Sequence, residues 1–259
     1  MTDIAISVFS VSSRRGYFLP SLNIQYQEVD GPQWTVAAGG TRAYVVRFGN
    51  PLKDDPEEQS ADSHFMIRRL TSSLLLGGLG LFQSETSGRL FIRNVHGDIS
   101  WTSYFDWPAP SDQPTAAAAQ RVNDWFAAIS KHTMLRRAAD DAHLALSNPH
   151  EALVFVYRGL EWLVVGRNIG WEALAQEIGA PIASLRDLKK MANVDLGFRH
   201  ATSTGIKARA DLGTAGSAVA LLFDAINASR AKLEPGFTPM TTTQSAEAIM
   251  RTLSPFPYS

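Results

Sequence analysis

The stretch HEALVFVYRGLEWLVVG, residues 150–166, decides how the second half of the chain is read. It is apolar nearly all round, and a helix of that kind belongs in the middle of a bundle rather than on its surface. Asn148-Pro149 opens it, an N-cap residue followed by a proline at the first helical position. Arg158 and Glu161 are the only charges between 152 and 166. Three residues apart, they share one helix face and come close enough to touch. Left there without partners they would be costly to bury. Two readings stay open: a structural ion pair, or a polar pair lining a functional groove.

Outward from this helix the pattern stays helical. On the N-terminal side, Thr115 is a good N-cap for AAAAQRVNDWFAAISKH (116–132), where Val122, Trp125, Phe126 and Ile129 form one apolar stripe. After a break near Thr133, Leu135, Ala138, Ala142 and Leu146 continue a helical period. On the C-terminal side, short helices are expected at 170–178 and 181–192, and a long one over TAGSAVALLFDAINASRAKLE (214–234). Residues 1–108 read differently. Short β-branched and aromatic runs such as IAISVFSV, LNIQYQEV, WTVAA, AYVVRF, RLFIRNV and ISWTSYF are separated by turn signals at Asp30-Gly31-Pro32, Gly39-Gly40 and His96-Gly97-Asp98. NPLKDDPEEQSADS (50–63) reads as an exposed acidic loop. LLLGGLGLF (74–82) lacks any phosphate-loop spacing and reads as a strand with a bulge.

The sequence therefore predicts an α+β chain. An antiparallel β-sandwich or barrel-like domain (1–108) is followed by a proline-rich linker (109–114), a bundle of about five helices (115–234) and a tail (235–259). Of the 259 residues, 45% are apolar and 19% charged, ordinary values for a globular protein. The net charge of −1 supplies no global field toward polyanions, so any such binding must be local. With no cysteine, thiolate chemistry and disulfides are excluded. The opening residues carry no leader pattern, and no apolar run approaches a membrane span, so a cytoplasmic protein with no membrane partner is expected.

A local basic excess lies between 181 and 211, where six basic residues (Arg186, Lys189, Lys190, Arg199, Lys207, Arg209) face three acids (Asp187, Asp195, Asp211). His200 could move a proton near neutral pH and Arg199 could hold phosphate oxygens. The plainer account is a solvated polar loop. The histidines show no metal-ligand spacing, so neither a metal nor a cofactor is expected.

Two segments, HEALVFVYRGLEWLVVG and LRDLKKMANVDLGFRHATSTG (185–205), resemble the HEPN superfamily of small α-bundles, in particular its divergent MauJ-type and defence-associated members. The resemblance covers about residues 115–234. It implies a homodimer formed through the helical domain, and either RNA binding or metal-independent RNA cleavage. Cleaving members carry an arginine and, some positions later, a histidine on one helix. Here Arg199 and His200 are adjacent, and at the usual distance before His200 stands Asn193. The resemblance thus implies a non-catalytic module that presents Arg158, Glu161, Lys189, Lys190 and Arg199 to RNA, a nucleotide or another anion. One alternative is a ribonuclease using Arg199 and His200 with Asn193. Another is an assembly protein with no ligand site.

Overall fold

The computed structural model describes residues 2–13, 19–28, 31–49, 56–95, 116–148, 151–192 and 212–239. The expected strand at 99–105, the linker 109–114, the Thr115 cap, the loop residues 193–211 and the tail from 240 lie outside them. The chain is α+β, with a β-rich part preceding a helical one. Strands β1 (Thr2–Ser13), β2 (Leu19–Gln27), β3 (Gln33–Gly40) and β4 (Arg42–Gly49) come first, then helix α1 (Pro56–Leu76) and strand β5 (Phe82–Val95). Six helices follow: α2 (Ala116–Lys131), α3 (Thr133–Ser147), α4 (Ala152–Arg167), α5 (Trp171–Glu177), α6 (Ile182–Lys190) and α7 (Leu212–Leu233). Two compact units divide the chain, one of Met1–Gly77 with Phe82–Ala127, the other of Gly78–Leu81 with Ala128–Ser259.

In the first unit the described strands form one five-stranded sheet, ordered β2-β3-β4-β1-β5, with every neighbouring pair antiparallel. Gly40, at φ 59°, occupies the first position of the tight β3–β4 loop, where primed hairpin turns need positive φ. Ile4, Ile6, Ala37, Tyr44 and Val46 form a core cluster on one sheet face. The opposite face carries Ser7, Phe9, Val36 and Val45, and α1 lies against it. Four consecutive residues of β4, Ala43 to Val46, are all buried, so this strand shows no alternation. β2 alternates, with Leu22 and Ile24 buried and Ser21, Asn23 and Gln25 exposed.

Helix α1 corrects two expectations. The segment read as an acidic loop enters a 21-residue helix, and the leucines read as a bulged strand are its last turn. A proline at the first helical position followed by acids is helix-start chemistry. Ser63, Met66, Ile67, Leu70 and Leu74 then place one buried face toward the sheet. Gly77 closes the helix, its N–H donating to the Ser73 carbonyl at 2.8 Å. A side chain there would meet a Val122 methyl at 2.9 Å.

In the second unit, α4 is the central helix that its composition implies, with Leu153, Val156, Leu160 and Leu163 all buried. Leu135, Ala138, Ala142 and Leu146 are buried on α3. Asn168, at φ 51°, ends α4 in the left-handed conformation that suits asparagine.

The hydroxyl of Ser7 donates to that of Ser63 at 2.9 Å, both residues being buried, and so ties α1 to β1. Ser7→Ala and Ser63→Ala should each cost about 1–2 kcal/mol by leaving one buried hydroxyl unmet. The double variant should cost less than the sum. A denaturant double-mutant cycle with no coupling would show that the contact does not hold the helix.

Candidate functional site

The polar centre of the second unit is built on α3 and α4. Asp141 sits on the apolar stripe of α3 and is buried, its side chain 3% exposed; Arg158 reaches it from α4 and is 39% exposed. The arginine Nε donates to both carboxylate oxygens, at 2.9 and 3.0 Å, and Nη2 donates to Oδ1. Arg158 thus takes its partner from the neighbouring helix, where pairing with Glu161 along α4 was one sequence expectation. Glu161 instead accepts from the Tyr157 hydroxyl at 3.5 Å, and the Tyr157 ring stacks on Trp171 with centroids 5.5 Å apart.

Two further side chains complete the cluster. The Trp162 indole hydrogen-bonds Asp141, and Arg137, one turn before Asp141 on α3, lies 4.1 Å above the Trp162 ring. The Arg158 guanidinium lies 5.1 Å from the Phe155 ring. Burial pushes the Asp141 carboxyl above its ordinary range, against the pull of its hydrogen bonds from Arg158 and Trp162. The hydrogen bond to Asp141 in turn holds Arg158 more firmly protonated. Burial thus disfavours the Asp141 charge while the contact with Arg158 favours it.

The backbone at 159 makes this reach possible. A Cβ at Gly159 would lie 2.9 Å from both Leu222 methyls of α7 and 3.4 Å from the Asp141 Cβ. Glycine lets α3, α4 and α7 approach closely beside the pair.

A second pair, absent from the sequence reading, is structural. Arg167 of α4 donates to both oxygens of Glu177 at 2.6 and 2.7 Å and to the Ser229 hydroxyl of α7 at 3.0 Å. This ties three helices together. The hydrogen bond from Arg167 holds the Glu177 carboxyl below its ordinary range.

Helix α6 buries Leu185 and Leu188 and exposes Arg186, Lys189 and Lys190. The two lysines sit in its last turn, where they also suit the helix dipole. Arg186 meets Glu172 at 3.4 Å with both side chains open to water, a contact worth little. Asn193, Arg199 and His200 lie outside the described residues. Of the expected site residues, Arg158, Glu161, Lys189 and Lys190 are therefore located, and the first two share α4. Asp141, Trp162 and Arg137 were missed by sequence reasoning. The available signal was helical phase, since Asp141 follows Ala138 by three positions on a buried stripe.

Among the described residues no group of three or more His, Cys, Asp or Glu could hold a metal ion, and no helix is long and apolar enough to cross a membrane. Compared with protein-family models, with curated proteins and with solved structures, the chain matches none.

Two variants test these helix contacts. Because the folded Glu177 is more acidic than its usual 4.5, its contribution is complete above about pH 4.5 and fades as pH falls through the depressed value. Glu177→Gln should lose about 1–3 kcal/mol at pH 7, and the gap to wild type should narrow below pH 4.5. A gap that stays constant with pH would assign the effect to something other than ionisation. Gly159→Ala should cost about 1–3 kcal/mol by overpacking, read from a denaturant midpoint. An unchanged midpoint would mean that the helices part freely at this point.

Proposed function

We propose that the helical unit is a non-catalytic, HEPN-like binding module that holds the phosphate backbone of single-stranded RNA and works as a homodimer. Arg158 is its central contact. Lys189 and Lys190 supply the outer cationic surface, Arg199 contributes a further charge to the same basic stretch of sequence, and Glu161 shapes the polar face of α4. The observation that carries this reading is a sunken carboxylate gripping a surface guanidinium by one edge. The Nη1 end of Arg158 has no hydrogen-bond partner among the described residues. An arginine held in this way is preorganised for an oxyanion, because the cost of fixing its side chain is met before the ligand arrives.

The surroundings support a nucleic acid over a lone phosphate. Arg137, Trp162, Arg158 and Phe155 alternate guanidinium and aromatic groups across α3 and α4. Single-strand binders combine cations for the backbone with rings for the bases. Asp141 acts as a positioning residue and touches no ligand in this scheme.

Fluorescence anisotropy with a labelled 12-nucleotide RNA in EDTA tests the proposal. Wild-type affinity should fall steeply with added salt. Arg158→Ala and the Lys189→Glu, Lys190→Glu double variant should each weaken binding about tenfold or more. Asp141→Asn should weaken it nearly as much as Arg158→Ala, while keeping its melting temperature close to that of wild type. Salt-insensitive binding, or equal affinity in Arg158→Ala, would overturn the assignment. RNA cleavage lost in His200→Ala would replace it with the ribonuclease reading.

A further inference from the structure

The sheet unit holds a separate set of buried donors. The register sets Tyr26 opposite Trp34 and Trp34 opposite Arg47, one row across β2, β3 and β4 on the face that α1 covers. The Arg47 guanidinium lies 5.4 Å from the Trp34 ring centre, and Arg69 of α1 lies 5.4 Å from that of Tyr26. Trp34 is 2% exposed and Arg69 9%. Trp34 Nε1, Arg47 Nε and Arg69 Nε are all buried, and none has a hydrogen-bond partner among the described residues.

The available acceptors stand at the rim. Asp62 Oδ2 is 3.4 Å from Arg47 Nη1, Glu28 Oε1 is 3.9 Å from Arg69 Nη1, and these carboxylates are 38% and 37% exposed. Arg69 Nη1 otherwise meets the Met66 sulfur at 3.4 Å, a weak acceptor. Among the described residues, three buried N–H groups of this row, one on each side chain, therefore have no acceptor. Folded proteins rarely leave buried donors unmet, and several together cost a substantial part of a domain's net stability. Charge favours an anion as the missing acceptor. The acids face water, which screens them, whereas the guanidiniums lie inside, so the interior of the row is positive.

We propose that this row is a binding site for a small oxyanion, a carboxylate or phosphate group, which accepts from Trp34 Nε1, Arg47 and Arg69 beneath α1. It is independent of the RNA reading, since it shares no residue with the α3–α4 cluster.

The test uses the full chain at constant ionic strength, with acetate, benzoate or inorganic phosphate replacing chloride. Calorimetric titration and thermal melting should show saturable binding and a raised melting temperature with at least one of them. Comparing the three separates a carboxylate from a phosphate ligand. Trp34→Phe, which removes only the indole donor, and Arg69→Met, which keeps the stem, should each weaken that binding about tenfold. RNA affinity should be unchanged in both. If Arg69→Met does not fold, Trp34→Phe alone decides. A wild-type response no greater than that to chloride would overturn the proposal and assign the donors to water. So would binding equally strong in Trp34→Phe.

Discussion

The close approach of α3, α4 and α7 at Gly159 is the constraint on which the helical unit depends. Alanines line the buried side of α3, and α4 contributes a position with no side chain at all. Bulkier residues at this crossing would separate the axes, and Arg158 would then lose Asp141. Helix spacing is usually discussed as a matter of apolar packing. Here it also sets whether a charge can be sunk and matched, because the carboxylate lies on the same stripe as the alanines. The stack of Tyr157 on Trp171 and the fork of Arg167 on Glu177 fix the outer helices to this central contact.

Charged groups recur on the covered face of the sheet, with a different balance. In the helical unit the anion is buried and the cation reaches water. In the sheet unit the cations are buried and the anions reach water. The first arrangement leaves donor capacity at the surface, and the second leaves it inside. Both depend on arginine, whose planar group stays charged when desolvated and can lie against rings while it hydrogen-bonds in its own plane.

Much of this was legible in the residues. The apolar run at 152–164, interrupted only by the charges of Arg158 and Glu161, read as a buried helix, and the stripes on α2 and α3 carried their phase openly. The strands of the first unit were recognisable by their β-branched and aromatic runs, but their partners were not. β4 is buried on both faces, so its composition has no period that could state which side faces α1. α1 itself was masked by Pro51, Pro56 and five acids between 54 and 62, which resemble a solvated loop. The period of Met66, Ile67, Leu70 and Leu74 was diluted by three successive leucines and a run of glycines. At the candidate site Arg158 stood out as a charge in an apolar helix. Its partner did not, because Asp140 and Asp141 are adjacent in a charged stretch and only helical phase separates the buried one from its neighbour. A contact between residues 141 and 158 across two helices leaves no local mark.

The position of β1 in the sheet bears on how the chain is made. β1, the first of the described strands in chain order, is not an edge but lies between β4 and β5, and its second partner is encoded at 82–95. Until that segment emerges, one side of β1 keeps a row of unpaired amide and carbonyl groups, next to Ile4, Ile6 and Phe9. Pairing over such a sequence distance is slow, and an open strand of this kind invites association with other nascent chains. α1, encoded between β4 and β5, supplies a surface against which the waiting strand can pack.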